Sequence, residues 1–325
     1  MKSFINSADT ALDQSLSGFG RAHGDLVSVH FAPRFVTRRQ KKSGKVALVS
    51  GGGSGHAPLH AGYVGTGMLD AACPGEIFTS PTPDQILAAA EAADGGAGIL
   101  FIVTNHPGDV KNFERAAEMI GGPSATVLTT DDVAGETDPH SQGRRGFAGT
   151  VVVEKIVGAA AEEGRALADL KALGERVNAA SATIGVALTS GTVPAAGRAM
   201  FDLGDDEMAF GVGIQGEPGR RGTLKSADDI VAGMMDAIAA SLPAANRVLA
   251  VVNGLGGTPL MQLYLVMDAV ARQCDDRDIT IARTLVGNYC TSLDMKGASV
   301  TLTALDDEMT ALWDAPVHTP ALRWG

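Results

Sequence analysis

From about residue 46 onward, short apolar runs alternate with longer amphipathic segments, a pattern typical of α/β folds. Residues 98–104 (GILFIVT) are apolar throughout, as expected of a central strand that is covered on both faces. Residues 150–164 open with a run of valines, but their length and alanine-rich end favour a helix. We therefore expect two α/β domains, an N-terminal one over residues 1–182 and a C-terminal one over residues 183–325.

Local signals mark the individual elements. A helix is predicted to begin after Thr82, because Pro83 suits its first position and Gln85 completes a capping box. Another helix, ending near Met119, follows the apolar strand, and further helices are predicted over 166–180, over 226–242, from about 259, and around Trp313. The other strands are predicted over residues 46–50, 125–129, 183–189, 209–215, 247–252, 279–285 and 299–305.

Composition and charge exclude several classes of protein. The 325 residues carry a formal net charge of −11, whereas a nucleic-acid-binding protein would show a basic surface. The dense basic stretch at residues 34–45 is interpreted as a solvated loop before a strand rather than a contact for phosphate. No apolar stretch is long enough for a membrane span, no signal peptide is recognisable, and three scattered cysteines are typical of a reduced, cytoplasmic protein.

Residues 51–55 (GGGSG) present backbone N–H groups without side-chain bulk, which suits close contact with a hydroxyl, carbonyl or phosphate. The run is not a P-loop, because no Gly-Lys-Ser/Thr follows, and it lacks the third glycine of a dinucleotide fingerprint. Taken alone, it also fits a tight strand-to-helix turn. His56 comes next and favours a functional site, since an imidazole beside such a run can exchange protons near neutral pH.

Three more polar clusters follow predicted strands. Asp109 comes after a Pro-Gly turn and is either a functional carboxylate or the N-cap of the helix that begins there. Gln215 lies in a turn rich in glycine and proline, and Asn253 follows a later strand. Because ligands bind beyond the carboxyl ends of strands in α/β sheets, these clusters and His56 can converge on one site.

Other polar residues are given a structural interpretation. His60 and His106 are predicted to be structural or surface histidines. The acidic residues 205–207 lack the alternating spacing of cation ligands, so a solvated loop is favoured over a metal site.

Several motifs occur in the order found in the substrate-binding subunit of dihydroxyacetone kinases. They are GGGSGH (51–56), PLHAGYVGTGMLDAACPGEIFTSPTPDQ (58–85), NHPGD (105–109), RRGFAGT (144–150), GIQGEPG (213–219), NGLGGT (253–258), LDMKGASVTL (293–302) and LWDAPVHTPA (312–321). Across nearly its entire length the chain therefore resembles this family. The resemblance implies a two-domain α/β fold, a homodimer and a sugar site between the domains.

The resemblance also implies roles for single residues. His56 matches the general acid/base beside the reactive hydroxyl of the sugar, and Asp109 matches the acidic residue that activates that hydroxyl. Gly53, Ser54 and Gly55 match the loop that contacts the sugar.

The family holds its nucleotide on a different chain. A separate helical subunit carries ATP and magnesium, or keeps ADP bound and is recharged by a phosphocarrier protein of the phosphotransferase system. The resemblance therefore implies no cofactor or metal on this chain, and it implies that helical subunit as a partner.

Two residues depart from the family pattern at the site. Gln215 stands where the family has a histidine that adds covalently to the ketone, and an amide nitrogen cannot do so because its lone pair is delocalised. Thr104, just before Asn105, stands where the family commonly has a lysine. Thr104, Asn105 and Gln215 are therefore expected to contact the sugar through hydrogen bonds alone.

We accordingly expect a kinase subunit that binds dihydroxyacetone, or a four- or five-carbon ketose such as erythrulose or apulose, without a covalent bond. The alternative is a non-catalytic, sugar-sensing paralogue that acts as a transcriptional coactivator. Retention of His56 and Asp109 favours the kinase, because a sensor needs no proton-transfer pair.

Overall fold

The structure of the protein is a computed structural model that describes residues 4–136, 143–194 and 197–325. The helices are α1 (Ala8–Ala22), α2 (Pro83–Ala93), α3 (Pro107–Met119), α4 (Gly149–Glu162), α5 (Leu167–Ala179), α6 (Ala227–Ala239), α7 (Leu260–Asp275) and α8 (Asp307–Asp314). The strands are β1 (Val27–Phe31), β2 (Arg34–Arg38), β3 (Ala47–Ser54), β4 (Ala71–Ile77), β5 (Ile99–Thr104), β6 (Ser124–Thr129), β7 (Ser181–Ala187), β8 (Thr192–Val193), β9 (Arg198–Ala199), β10 (Glu207–Phe210), β11 (Arg220–Thr223), β12 (Arg247–Gly254), β13 (Thr280–Gly287), β14 (Gly297–Ala304), β15 (Val317–His318) and β16 (Arg323–Trp324).

The longer strands form two six-stranded sheets. The first has the order β1-β2-β4-β3-β5-β6, in which β4, β3, β5 and β6 are parallel and the β1–β2 hairpin is added antiparallel at one edge. The second has the order β11-β10-β7-β14-β12-β13 and is antiparallel except for the neighbours β12 and β13. Because β3 and β5 are parallel neighbours, their carboxyl ends place the glycine run and Asp109 at the same edge of the first sheet.

Most of the predicted elements are confirmed. The capping box at Thr82 opens α2, and the valine-rich segment is helix α4. The prediction missed α1, β1, β2, β4 and β11, and also the two-residue strands β8, β9, β15 and β16. The sequence of β4 contains proline and glycine, which are depleted in strands. β1 lies at the sheet edge and carries polar residues, and β2, which pairs with β1 and β4, carries an arginine at each end.

The predicted strand over 209–215 is too long. β10 ends at Phe210, because Gly211 adopts a φ of +81° and turns the chain out of the sheet. Gln215 therefore lies in a loop after the strand and not directly at its carboxyl end.

The basic stretch is only in part the solvated loop that was predicted. Residues 39–44 are an exposed connection before β3, as expected, whereas residues 34–38 form β2 and Lys45 is buried. Lys45 is 2 % exposed, and its ammonium group pairs with Asp70. The guanidinium of Arg38 in β2 lies 3.0 Å from Asp70 Oδ1 and 2.6 Å from Glu162 Oε1. Buried charges are tolerated only when they are paired, so these acidic partners explain why the basic residues lie inside.

The core joins the two sheets. Helix α4 is almost entirely buried, packs against α5 and α8, and contacts strands of both sheets. The largest buried cluster includes Leu48 and Leu100 of the first sheet together with Leu249 and Val251 of the second. The predicted domain boundary at residue 182 stays a prediction, although the second sheet begins with β7 beside it. In the described part of the chain, no helix has the length and apolarity that a membrane crossing requires.

Candidate active site

The glycine run continues strand β3 instead of forming a loop or a turn into a helix, and this corrects the sequence-based expectation. A Cβ atom on Gly51 would lie 2.6 Å from the carbonyl oxygen of Cys73, and one on Gly53 would lie 2.7 Å from the backbone nitrogen of Thr79. Both distances are too short for any side chain. Glycine is therefore required at these positions because neighbouring backbone passes close to the strand.

Gly52 differs from its two neighbours. A Cβ atom at this position would lie 3.4 Å from Asp109 Oδ2 and 3.6 Å from His60 Nε2, which are ordinary van der Waals distances. The absence of a side chain at Gly52 therefore leaves space between two ionisable groups.

His56 follows β3 and is 3 % exposed. Its Nδ1 lies 2.8 Å from the carbonyl oxygen of Thr291. Because a carbonyl only accepts, Nδ1 carries the proton and Nε2 carries a lone pair; this Nε2 is buried and has no hydrogen-bond partner among the described residues. Burial lowers the pKa of His56 to about 3, against the opposing effect of the Thr291 bond, so the ring is neutral at physiological pH.

Asp109 is fully buried in the first turn of α3, but it is not the N-cap of that helix, a position held by His106. Its Oδ2 accepts a hydrogen bond of 3.0 Å from Thr104 Oγ1, and its Oδ1 has no partner among the described residues. Burial raises the pKa of Asp109, and hydrogen bonds from Ser80 and Thr104, together with the nearby imidazoles of His106 and His60, oppose that rise. Asp109 is thus a stronger base than an exposed carboxylate.

The polar groups of three other predicted site residues are engaged within the protein. The Ser54 hydroxyl donates to the carbonyl of Gly75 at 2.6 Å, and the Asn105 amide donates to the carbonyl of Arg144 at 2.7 Å. Gly55 has a φ of +107°, and its carbonyl accepts the Leu293 N–H at 2.8 Å. Ser54 and Asn105 keep acceptor capacity, but their described bonds shape the walls of the site. Gly53 contributes only backbone.

Asn253 is not a ligand-facing residue. Its side chain is completely buried and donates to the carbonyl of Cys290 and to the Ser299 hydroxyl, while its oxygen accepts the N–H groups of Tyr289 and Cys290. These bonds fix the segment that carries Thr291, and hence the partner of His56.

The turn that contains Gln215 brings the second half of the chain to the site. The Gln215 backbone N–H donates to Glu217 Oε2 at 2.9 Å. The side chain of Gln215 lines a cavity of about 540 Å³ together with Phe78, Arg198 and Met200. Phe78 also stacks on the His56 ring at a centroid distance of 5.1 Å, so the cavity and His56 share a wall.

His106 belongs to the same cluster, although the sequence-based interpretation left it out. It is 5 % exposed, its Nδ1 lies 3.7 Å from Glu217 Oε1, and its Nε2 has no hydrogen-bond partner in the described part of the chain. It is close enough to both His56 and Asp109 to affect their pKa values. The one signal for it in the sequence is its position between the end of β5 and Asp109.

His60 is buried as well. Of the two interpretations given to both histidines, structural or surface, the surface one is therefore wrong. Its Nδ1 lies 2.6 Å from Glu154 Oε1 and 2.9 Å from Ser50 Oγ, while Nε2 faces the space beside Gly52. Glu154 is fully buried on α4, and burial raises its pKa, whereas His60 lowers it. This pair holds a fixed imidazole next to Asp109.

The arrangement combines the neutral imidazole of His56, the carboxylate of Asp109 and the imidazole of His106. Each of these groups has one polar atom without a hydrogen-bond partner among the described residues. Such a cluster can bind hydroxyl groups and accept a proton from one of them. In the described parts of the chain, no group of three or more His, Cys, Asp or Glu side chains is arranged to hold a metal ion.

Comparison with known families agrees with the geometry, since the model of the Dak1 domain matches residues 17–321. The chain belongs to the Dak1 domain family. The dihydroxyacetone-binding subunit DhaK of a PEP-dependent dihydroxyacetone kinase from Escherichia coli (strain K12) is 48 % identical, and the match covers all of both chains. A D-erythrulose kinase from Mycolicibacterium smegmatis is 40 % identical over all of this chain and 57 % of its own length.

Among solved structures, this Dak1 chain is similar to the dihydroxyacetone kinase operon co-activator DhaQ. The two superpose with a TM-score of 0.89 at 32 % identity, covering 95 % of this chain and 96 % of the other. The α/β fold and the family resemblance expected from the sequence motifs are therefore confirmed.

Proposed function

We propose that this chain is the substrate-binding subunit of a dihydroxyacetone-type kinase. Its substrate is dihydroxyacetone or a related C4 or C5 ketose, held without a covalent bond. The observation that supports this proposal best is a pair of buried acceptors, on His56 and Asp109, that have no hydrogen-bond partner among the described residues and lie beside a cavity that Gln215 lines. An amide at position 215 can only form hydrogen bonds, so the carbonyl of the sugar stays unmodified.

The pKa shifts assign different roles to His56 and Asp109. The pKa of His56 is lowered to about 3, so Nε2 is a weak base that orients the reactive hydroxyl by accepting its hydrogen bond. Burial raises the pKa of Asp109, which makes its carboxylate the better proton acceptor. Asp109 therefore takes the hydroxyl proton as the oxygen attacks the phosphoryl group, and Thr104 holds the carboxylate in place.

The phosphoryl group comes from outside this chain. We propose a helical partner subunit that holds ATP and magnesium, or ADP that a phosphocarrier protein recharges. We also propose a cytoplasmic homodimer. Residues 1–182 and 183–325 then act as two domains with the sugar between them, and Gly53, Ser54, Gly55, Asn105 and Gln215 border the sugar.

A coupled kinase assay tests this proposal. The chain is mixed with the helical subunit encoded beside it, ATP and magnesium, and offered ketoses, aldoses and polyols of three to five carbons. Phosphorylation of a small ketose, abolished by Asp109→Asn, is the expected result. If none of the sugars is phosphorylated, with either ATP or a complete phosphotransferase system as donor, the kinase proposal is wrong.

The similarity to the co-activator DhaQ supports a second candidate, a sugar-responsive coactivator. In that case the chain binds a ketose but no phosphorylated product forms, and the sugar changes its affinity for a transcription regulator. The same assay, combined with a pull-down of the regulator, separates the two candidates.

A further inference from the structure

His106 has an imidazole nitrogen that nothing in the described structure satisfies. The ring is 5 % exposed, and Nε2 is buried without a hydrogen-bond partner. A buried polar atom without a partner has lost its hydrogen bonds to water without compensation, which is unfavourable. The atom is therefore expected to have a partner when the site is filled.

Helix capping does not explain why an imidazole is present at position 106. His106 is the N-cap residue of α3, but its side chain makes no capping hydrogen bond. Its backbone N–H donates to the carbonyl of Thr104 at 2.7 Å, which fixes the main chain and leaves the imidazole free for other contacts.

The charge of Glu217 favours one tautomer of His106, although the contact of 3.7 Å is longer than a hydrogen bond. The Glu217 carboxylate lies on the Nδ1 side, at 3.7 Å from Oε1. A carboxylate attracts the N–H and cannot donate, so the neutral ring carries its proton on Nδ1 and a lone pair on Nε2. Thr291 has the same effect on His56 through its carbonyl.

Three buried acceptors around the proposed site have no hydrogen-bond partner among the described residues: His56 Nε2, His106 Nε2 and Asp109 Oδ1. The fourth such atom, Glu154 Oε2, belongs to the carboxylate that holds His60. A hydroxyl donates only one hydrogen, so three acceptors need three hydroxyl groups. Dihydroxyacetone has two hydroxyls and a carbonyl, which is itself an acceptor. A four-carbon ketose such as erythrulose has three hydroxyls and matches the count.

From this count we propose that His106 is a specificity-determining residue whose Nε2 accepts a hydrogen bond from a third hydroxyl, so that the site selects ketoses with at least three hydroxyl groups. This inference rests on the proposed function, which it narrows from small ketoses to trihydroxylated ones. Glu217 is a positioning residue that holds the tautomer of His106.

Calorimetric titration of the full chain, without the partner subunit, tests the proposal at a pH of about 8, where ordinary imidazoles are neutral. The ligands are dihydroxyacetone, erythrulose and 4-deoxyerythrulose; the last has the four carbons of erythrulose but only two hydroxyls. One extra satisfied hydrogen bond corresponds to about a 10-fold difference in Kd, so erythrulose is expected to bind about 10-fold more tightly than either of the others.

Variants at position 106 show whether that preference comes from Nε2. In His106→Leu the Kd values for erythrulose and 4-deoxyerythrulose should become nearly equal. The variant should bind dihydroxyacetone as tightly as the wild type or more tightly, since an acceptor that this ligand leaves without a partner is removed. His106→Gln restores an amide oxygen near Nε2 and should recover part of the preference. A purely structural role for His106 would instead weaken all three ligands together, without rescue by glutamine.

His23→Leu is the matched control, since it makes the same exchange at the C-cap of α1, outside the proposed site, and it should keep the preference for erythrulose. Equal binding of the three ligands by the wild type, or a preference that survives in His106→Leu, contradicts the proposal. If His106→Leu is unfolded by circular dichroism, the wild-type ligand series and His106→Gln decide the question. Because no phosphoryl donor is present, failure of the kinase proposal and failure of this inference are separate outcomes.

Discussion

Gly52 and Gly53 are adjacent in β3, yet an alanine is expected to have opposite effects at the two positions. At Gly53 the new methyl group would lie 2.7 Å from the backbone nitrogen of Thr79 and 2.9 Å from two backbone atoms of Phe78. Backbone cannot move aside as a flexible side chain does, so Gly53→Ala should cost about 1–3 kcal/mol, the usual range for overpacking. In a chain of 325 residues, a loss of that size lowers Tm by about 1.5–4.5 °C.

At Gly52 the nearest atoms to the new methyl group are Asp109 Oδ2 at 3.4 Å, His60 Nε2 at 3.6 Å and Asp109 Cγ at 3.9 Å. None of these contacts is a clash, and Gly52 is not among the glycines with positive φ. Gly52→Ala should therefore keep the fold, with a gain of up to about 1 kcal/mol because alanine has a less flexible unfolded chain.

The same methyl group fills the space beside the Asp109 carboxylate. A displacement of the reacting hydroxyl by about 1 Å can lower the rate roughly 100-fold, so kcat/KM of Gly52→Ala should fall by about 10- to 100-fold. The measurements are thermal unfolding by circular dichroism and the coupled kinase assay with the partner subunit. The reasoning is refuted if Gly52→Ala retains wild-type kcat/KM, or if it lowers Tm as much as Gly53→Ala.

Further substitutions test the electrostatics of the site. Burial raises the pKa of Asp109 in the folded state, so at pH values above the unfolded pKa the ionised carboxylate destabilises the fold. Asp109→Asn should therefore raise the free energy of unfolding, measured in urea, at about pH 7. Near pH 3 the variant should have no such effect, because the carboxyl is protonated in both states. The hydrogen bond from Thr104 lowers the pKa of Asp109, so Thr104→Val should move the acidic limb of the pH–kcat/KM profile to higher pH, and an unchanged profile would contradict this. Gln215→His should restore a nucleophile beside the cavity, so intact-protein mass spectrometry should show a dihydroxyacetone adduct on this variant and none on the wild type.

The sequence allowed the location of the site to be predicted, because that location follows from the chain order. His56 and Asp109 each come after an apolar run, and parallel strands bring their carboxyl ends to one edge. The family motifs imply that this pair is the reacting pair, an assignment that the Asp109→Asn variant tests. The helices with strong capping signals were predicted for the same reason, since the signal lies within a few residues of the helix start.

Other parts of the site depend on residues far apart in the chain. Thr291, which fixes the tautomer of His56, is 235 residues away from it. Glu154, which holds His60, is 94 residues away from that histidine. No local pattern links such pairs, so His60 was interpreted without the partner that explains its burial. The same holds for Arg38, whose acidic partners lie 32 and 124 residues away.

The role of glycine in β3 also depends on the tertiary structure. In the sequence, Gly51, Gly52 and Gly53 are identical, and all three fit a flexible loop. Only the distances to surrounding atoms separate the two glycines that let backbone pass closely from the one that leaves space in the site.

Both halves of the chain contribute groups to the candidate site, and the groups of one half contact those of the other. The first half supplies the three acceptor-bearing side chains, His56, His106 and Asp109. The second half supplies the oxygens that set the ring tautomers, namely the Thr291 carbonyl and the Glu217 carboxylate. Without those oxygens, either ring nitrogen could carry the proton, and the ligand would face a mixture of donors and acceptors. The recognition of hydroxyl groups that we propose for the first half therefore depends on contacts with the second.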